Sequence, residues 1–228
     1  MEIITKEYKV YNFDELNDDI KKKLIEKERV NQVNLYCDTW LEEDMGLKAS
    51  DLINDYFGIT SDYVKTYYDL SYSQGCGAMV EFSIFITDFN NKYKVFSDEE
   101  ISFLVDNNVV EYIDIKHNSN CHYYHEYSFS VNHDYYNGYS YEDIKDKYGI
   151  SEKEFETLED RFYKLVDDTN KHRTNSQFIK DIIDMNKELT KYGYDCIEYY
   201  DNCNDNEIIE HIKNNDNKYL ENGDEFYG

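Results

Sequence analysis

The chain's densest group of side chains able to do chemistry is His117, Cys121, His122, His125, Glu126 and His133, which holds four of its six histidines. Imidazole, thiolate and carboxylate are the ligands of zinc and related metals, but a site needs three or four of them converging on one point. If 121–131 is a strand, alternation puts Cys121 and His125 on one face and His122 and Glu126 on the other. His117 would then reach His122 and Glu126 from the neighbouring strand, an incomplete set for zinc or another divalent metal. A metal-dependent enzyme acting on nucleotides through His117, His122, His125 and Glu126 is one reading. The competing one is that these histidines hydrogen-bond tyrosines or backbone, so no cofactor is the expectation.

Other candidates are thinner. Gln74-Gly75-Cys76-Gly77 has glycines but no Lys-Ser/Thr and no following helix, so it reads as a turn rather than a phosphate loop. Nothing local lowers the Cys76 thiol pKa, and the Asp/Asn clusters lack the oxygen spacing of a calcium loop. No catalytic residue is assigned.

What stands out is charge. The 228 residues include 49 Asp+Glu against 24 Lys+Arg, a formal charge of −25, with 25 tyrosines and no proline. An A/T-rich genome depletes Pro and enriches Tyr, Asn and Lys, so codon bias does not account for the acids. Nucleic acid is a polyanion and binding it requires Lys and Arg, so direct binding is excluded as a default. An anionic membrane surface is disfavoured likewise, and a basic protein surface is the complement. From 195 to 228 there are ten acids against two lysines: Asp195, Glu198, Asp201, Asp205, Glu207, Glu210, Asp216, Glu221, Asp224 and Glu225. A helix rises ~1.5 Å per residue and duplex DNA carries one charge per ~1.7 Å, so an acidic face can approach phosphate spacing. These ten are the candidate partner-binding residues.

The elements that must position these groups are marked by capping pairs: Asn12 with Glu15, Ser97 with Glu100, Ser151 with Glu154, and Asn204 with Glu207. Helical apolar spacing follows at Phe13, Leu16, Ile20 and Leu24, again at Phe155, Leu158, Phe162 and Leu165, and at Phe178, Ile182, Met185 and Leu189, with Gly193 as a stop. Strands are expected at 63–72 and 78–87 around the 74–77 turn, at 109–116 and 121–131 around 117–120, and at 194–199. A helix is expected at 205–213, and a ribbon turning at Asn222-Gly223. The expectation is an α+β fold, a mixed, mainly antiparallel sheet packed by helices from both ends of the chain, in one domain over 1–228 with a seam near 135–139. No signal peptide or apolar span is evident. The five cysteines form no C-x-x-C and read as reduced thiols, so a cytoplasmic protein of a bacterial cell is expected.

Four segments carry a family resemblance. These are Tyr8-Lys9-Val10-Tyr11-Asn12-Phe13-Asp14-Glu15-Leu16 followed by the lysines at 21–27; Tyr68-Asp69-Leu70-Ser71-Tyr72-Ser73-Gln74-Gly75; His117 with His122-Tyr123-Tyr124-His125-Glu126-Tyr127-Ser128; and 217–227. Together they resemble a family of uncharacterised acidic proteins from phages, prophages and plasmids of low-GC bacteria, departing from it at Cys76, where the family usually has an acid. The resemblance implies a mobile-element origin and no particular activity. With the acidity, it leads to an expectation of an anti-defence inhibitor of anti-CRISPR or anti-restriction type. Such a protein docks a nucleic-acid-mimicking surface on a basic surface of a host nucleic-acid-binding protein. The alternatives are the metal-dependent enzyme and a structural accessory protein that oligomerises through Tyr-rich surfaces.

Overall fold

The computed structural model describes residues 6–61, 63–71, 73–106, 109–118, 123–133, 145, 149–170 and 176–227. Contacts group the chain into two compact units: Glu42–Tyr194, and a terminal unit built from Met1–Leu41 and Asp195–Gly228. The fold is α+β, with helices packed on a four-stranded antiparallel sheet. The expected seam at 135–139 lies outside the described residues.

The sheet belongs to the Glu42–Tyr194 unit and is a meander in the order β1 (Val64–Asp69), β2 (Gly77–Phe85), β3 (Tyr112–His117), β4 (Phe129–His133). Val64 pairs with Phe82, Phe82 with Ile115, and Ile115 with Val131. That register puts Phe82, Ile115 and Val131 on one buried face with Val80, Ile84 and Ile113, while Lys65, Glu81, Ser83, Asp114 and Lys116 occupy the opposite, half-exposed face. The β1–β2 turn is the expected one. Gly75 has φ +88°, a region L side chains avoid, and a Cβ there would lie 2.6 Å from the Tyr123 ring. Glycine at 75 is thus required by backbone and by space.

Helices α2 (Leu41–Phe57), α3 (Ile86–Tyr93), α4 (Asp98–Asp106), α5 (Glu152–Asn170) and α6 (Gln177–Asp201) supply most of the cover. Ser97 and Glu100 close their capping box, Ser97 N–H donating to Glu100 Oε2 at 2.7 Å, and Ser151 and Glu154 do the same at 3.0 Å. Phe57, Phe82, Phe89, Tyr93 and Phe178 stack as the aromatic centre of this core, Phe57 lying 5.0 Å from Phe82 and Phe178 4.9 Å edge-on to Phe89. Two α6 side chains finish the edge of β2: Thr190 accepts the Ala78 N–H (2.8 Å), and fully buried Asn186 accepts the Val80 N–H (3.0 Å). These bonds satisfy strand donors that β3, which pairs with β2 only from Phe82 onward, does not reach. Phe155 and Leu158 are buried as expected; the side chains of Phe162 and Leu165 lie outside the described residues.

Two sequence expectations fail on α6. The strand expected at 194–199 is helix, and Gly193 is helix interior rather than a stop. Its role is packing: a Cβ at 193 would lie 2.7 Å from Leu70 Cδ1 and 3.0 Å from Met45 Sδ. Helix propensity and continued burial along the Phe178–Leu189 stripe outweigh the local β preference of Tyr194, Ile197 and Tyr199.

In the terminal unit, a 3₁₀ turn at Phe13–Glu15 capped by Asn12 precedes α1 (Asp18–Thr39), which Asn17 caps through its side chain. The helix foreseen after Asn12 therefore starts one turn later. Helix α7 (Asp205–Asn214) starts at Asn204, whose side chain accepts the Asn206 N–H. Glu207 makes no reciprocal bond among the described residues. Phe13, Leu16, Leu24, Ile208, Ile212 and Tyr219 form this unit's core. Each such side chain contributes about 1.5–3 kcal/mol when fully buried. Tyr219 bridges to Tyr11 and to Glu225, and Gly223 turns the tail at φ +92°, as the Asn222-Gly223 pair predicts.

Candidate functional site

The C-terminal end of α6 and the start of α7 form an acidic concave surface. Asp195, Glu198 and Tyr199 fall at i, i+3 and i+4, which places them on one face of α6, and Asn202 follows just past its end. The chain turns at Cys203, and α7 brings Asn204 and Glu207 to the same hollow, of about 470 Å³. The fold shapes the turn with Arg29 of α1. Its guanidinium donates to the carbonyls of Asp201 (3.0 Å) and Cys203 and to the Asp205 carboxylate (2.5 Å). It thereby satisfies carbonyls left open where α6 ends. Tyr36 stacks on Tyr200 at 4.2 Å and fixes the other side of the same turn. Tyr199 stands 71% exposed at the rim.

The ten sequence-predicted acids do not all meet. Asp195, Glu198 and Glu207 are brought together around this hollow. Ile208 and Ile212 bury the opposite face of α7, so Glu207 and Glu210, at i and i+3, both face water. Asp201 is exposed, with its carbonyl engaged by Arg29, and Asp205 is paired to Arg29. Asp216 lies apart at a second hollow with Asp14 and Glu15, where Lys218 holds Asp216 (3.2 Å) and Lys213 holds Asp14 (2.8 Å). In the closing ribbon Asp224 accepts from the Asn222 amide (2.7 Å), Tyr227 donates its hydroxyl to Glu225, and Glu221 is exposed. That bond to Glu225 pushes the Tyr227 phenol above its ordinary pKa. Residue counting located the acidic stretch. Missed in the sequence were Tyr199, read there as strand, and Arg29, whose partner is 176 positions away and left no local signal.

The histidine cluster is rearranged. The expected strand over 121–131 is strand only from Phe129, because local bonds win at 123–128: His125 Nδ1 accepts the Tyr127 N–H (3.1 Å) and Ser128 Oγ accepts the His125 N–H (3.0 Å). The alternation that placed His122 and Glu126 on one face therefore does not apply to 123–128. Glu126 presents its carbonyl to Asn186 (3.4 Å). Cys121, His122 and the His133 side chain lie outside the described residues. Among the described residues no three His, Cys, Asp or Glu side chains gather as a metal site would need. His117 ends β3 with its ring stacked on Tyr67 (4.9 Å) and tilted against Tyr124 (5.1 Å). Its buried Nε2 has no hydrogen-bond partner among the described residues. Beside it Glu81 accepts the His117 N–H (3.1 Å) and the Tyr67 and Tyr63 hydroxyls. The Glu81 bond pushes the Tyr63 phenol up. At the β1–β2 turn, Ser71 and Ser73 hydroxyls lie 3.1 and 2.9 Å from the Cys76 thiol. The Ser71 hydroxyl and N–H hold Asp69 below the usual carboxylate range.

The fold and this site define an α+β protein that presents an anionic, aromatic-rimmed helical surface. Compared with known proteins, no family model, curated protein or solved structure matches the chain. No helix among the described residues is long and apolar enough to cross a membrane.

Proposed function

We propose that the protein is a binding module that docks its acidic surface on a basic surface of a nucleic-acid-binding protein and blocks that partner, as a mobile-element inhibitor of a host defence enzyme would. One observation carries the reading: Asp195, Glu198 and Glu207 line one open hollow with Tyr199 exposed at its edge. Carboxylates recruit Lys and Arg over long range and set the rate of encounter, while an exposed tyrosine offers a rigid anchor at little entropic cost. Exposed like charges are unfavourable to one another, so a basic partner relieves repulsion among them.

Affinity capture from host lysate at low ionic strength tests it. Recovery of a nucleic-acid-binding protein, lost as salt shortens the screening length to ~8 Å at 0.15 M and ~3 Å at 1 M, is the expected result. Equal recovery by Asp195→Asn/Glu198→Gln/Glu207→Gln ends the assignment to this surface.

The Nε2 of His117, without a hydrogen-bond partner among the described residues, favours one other reading, a metal-dependent activity of the histidine cluster. Metal content of the purified chain near zero, with His122→Ala as functional as the parent, removes it.

A further inference from the structure

The Glu42–Tyr194 unit has a larger hollow, of about 650 Å³, on the half-exposed side of its sheet. Loop 58–61 forms one wall, and the others come from Tyr63, Ser83, Phe85, Asp88, Tyr112 and Asp114. Three of these six are aromatic. Phe85 and Tyr112 face each other across β2 and β3 at 4.5 Å, and Tyr63 has its hydroxyl anchored on Glu81. Phe85 and Tyr63 nevertheless stay 47% and 52% exposed. Two of the six are carboxylates. Asp114 is held by Ser83 (2.6 Å) and by Lys116 (2.8 Å). Asp88 is half-buried and has neither a cation nor a hydrogen-bond donor among the described residues.

Placement in the first turn of α3 explains an acid at 88 through the helix dipole. It does not explain why that acid opens onto aromatic rings that remain in water. Aromatic faces carry negative quadrupole potential and bind cations, more strongly where water is partly excluded. A carboxylate beside them adds directional acceptors for N–H donors. The volume is within the range of small-ligand sites, and the lining sets three aromatic rings beside two carboxylates and the hydroxyls of Thr60, Ser61 and Ser83.

We propose that this hollow binds an organic cation, a guanidinium or alkylammonium group, with Asp88 accepting its N–H donors and Phe85, Tyr112 and Tyr63 packing its planar or alkyl part. The cation is either a free small molecule or the side chain of an arginine or lysine on another protein. This inference does not depend on the 195–207 surface, since every residue it uses lies in the other unit.

Titration calorimetry on the intact chain at low salt tests it with butylguanidine as the free cation, acetyl-arginine amide as the chain-borne one, and butylurea as the uncharged analogue of similar shape. Saturable one-to-one binding of at least one cation is expected, with butylurea at least tenfold weaker. Asp88→Asn should weaken binding about tenfold or more, the size of a lost charge-assisted bond, and Phe85→Leu should weaken it severalfold. Glu207→Gln should leave it unchanged. Thermal unfolding of Asp88→Asn within a degree or two of the parent keeps the comparison valid, and Phe85→Leu provides a second readout if it is not. Tighter binding of acetyl-arginine amide assigns the site to a protein side chain, and tighter binding of butylguanidine to a free cation. Binding of neither cation, equal binding of butylurea, or indifference to both substitutions overturns the proposal.

Discussion

The two compact units use the same residue type in opposite ways. In the Glu42–Tyr194 unit several carboxylates are built into the structure. Asp181 is 9% exposed and accepts from Lys92 (2.8 Å), Tyr93 (2.7 Å) and Gln177 (2.7 Å). Glu100 takes Arg161 (2.5 Å), and Glu81 collects two tyrosine hydroxyls and a strand N–H. In the segment 195–227 of the terminal unit, nine of the ten acids are exposed, and of these Asp205 pairs with Arg29 and Asp216 with Lys218. Total charge therefore does not separate an acid that holds the fold from one that stands in solvent. Burial and local partners do.

The largest loss of stability is expected at Asp181. Asp181→Asn removes the counter-charge of Lys92, whose amine also donates to the Tyr56 carbonyl and lies 5.0 Å over the Phe57 ring. Removing one partner of a fully buried pair costs about 3–5 kcal/mol. Lys92 is a third exposed and can recover some hydration, so about 2–3 kcal/mol is expected, read as a lower denaturant midpoint at unchanged slope. The same site sets a pH dependence. Burial by itself would raise the Asp181 pKa, but donors from Lys92, Gln177 and Tyr93 together hold it below the usual carboxylate range. A depressed folded pKa contributes stability that is complete above the unfolded value of about 3.9. That contribution is lost as pH falls through the folded value. Asp181→Asn should therefore flatten the acid limb of the parent's stability profile, and a limb equally steep in both proteins would show that Asp181 is not its source. Burial also raises the Tyr93 phenol well above its ordinary value, helped by its bond to Asp181, so that hydroxyl stays a donor at any working pH.

A smaller effect is expected at the β1–β2 turn. Gly75→Ala places a Cβ against the Tyr123 ring in a positive-φ conformation and should cost about 2 kcal/mol in chemical denaturation. Asp205→Ala is milder. Arg29 keeps its two carbonyl partners and Asp205 is 67% exposed, so about 0.5 kcal/mol is expected; a loss above 2 kcal/mol would mean that Asp205 holds the α6–α7 turn rather than decorating it. The smallest effect on stability is predicted for Asp195→Asn/Glu198→Gln/Glu207→Gln, within about 0.5 kcal/mol of the parent.

Legibility in the sequence followed how local the deciding interaction was. The boxes at Ser97 and Ser151, the Asn204 cap, the glycine turn at 74–77 and the Asn222-Gly223 turn span at most four residues, and all were readable. Tyr194 to Tyr199 looked like strand because its β-favouring residues were weighed without the 17 helical residues before them. Gly193 resembled a stop because its reason, the approach of Leu70 and Met45, is tertiary. No helix was expected over Leu41–Phe57, where Glu42, Glu43 and Asp44 form an acidic first turn with no Ser, Thr, Asp or Asn immediately before it as a cap signal. At the candidate site the acids were visible one by one. Which three share a hollow depends on Arg29 and Tyr36 folding the α6–α7 turn, and that information lies far away in the chain.

Whether the exposed acids of 195–207 bind a basic partner is decided by capture from host lysate with the parent chain and Asp195→Asn/Glu198→Gln/Glu207→Gln side by side across a salt series. The parent should recover a nucleic-acid-binding protein at low salt and release it as salt rises. The variant, equally stable, should recover at least tenfold less. Recovery that is the same for both proteins and indifferent to salt would contradict such binding.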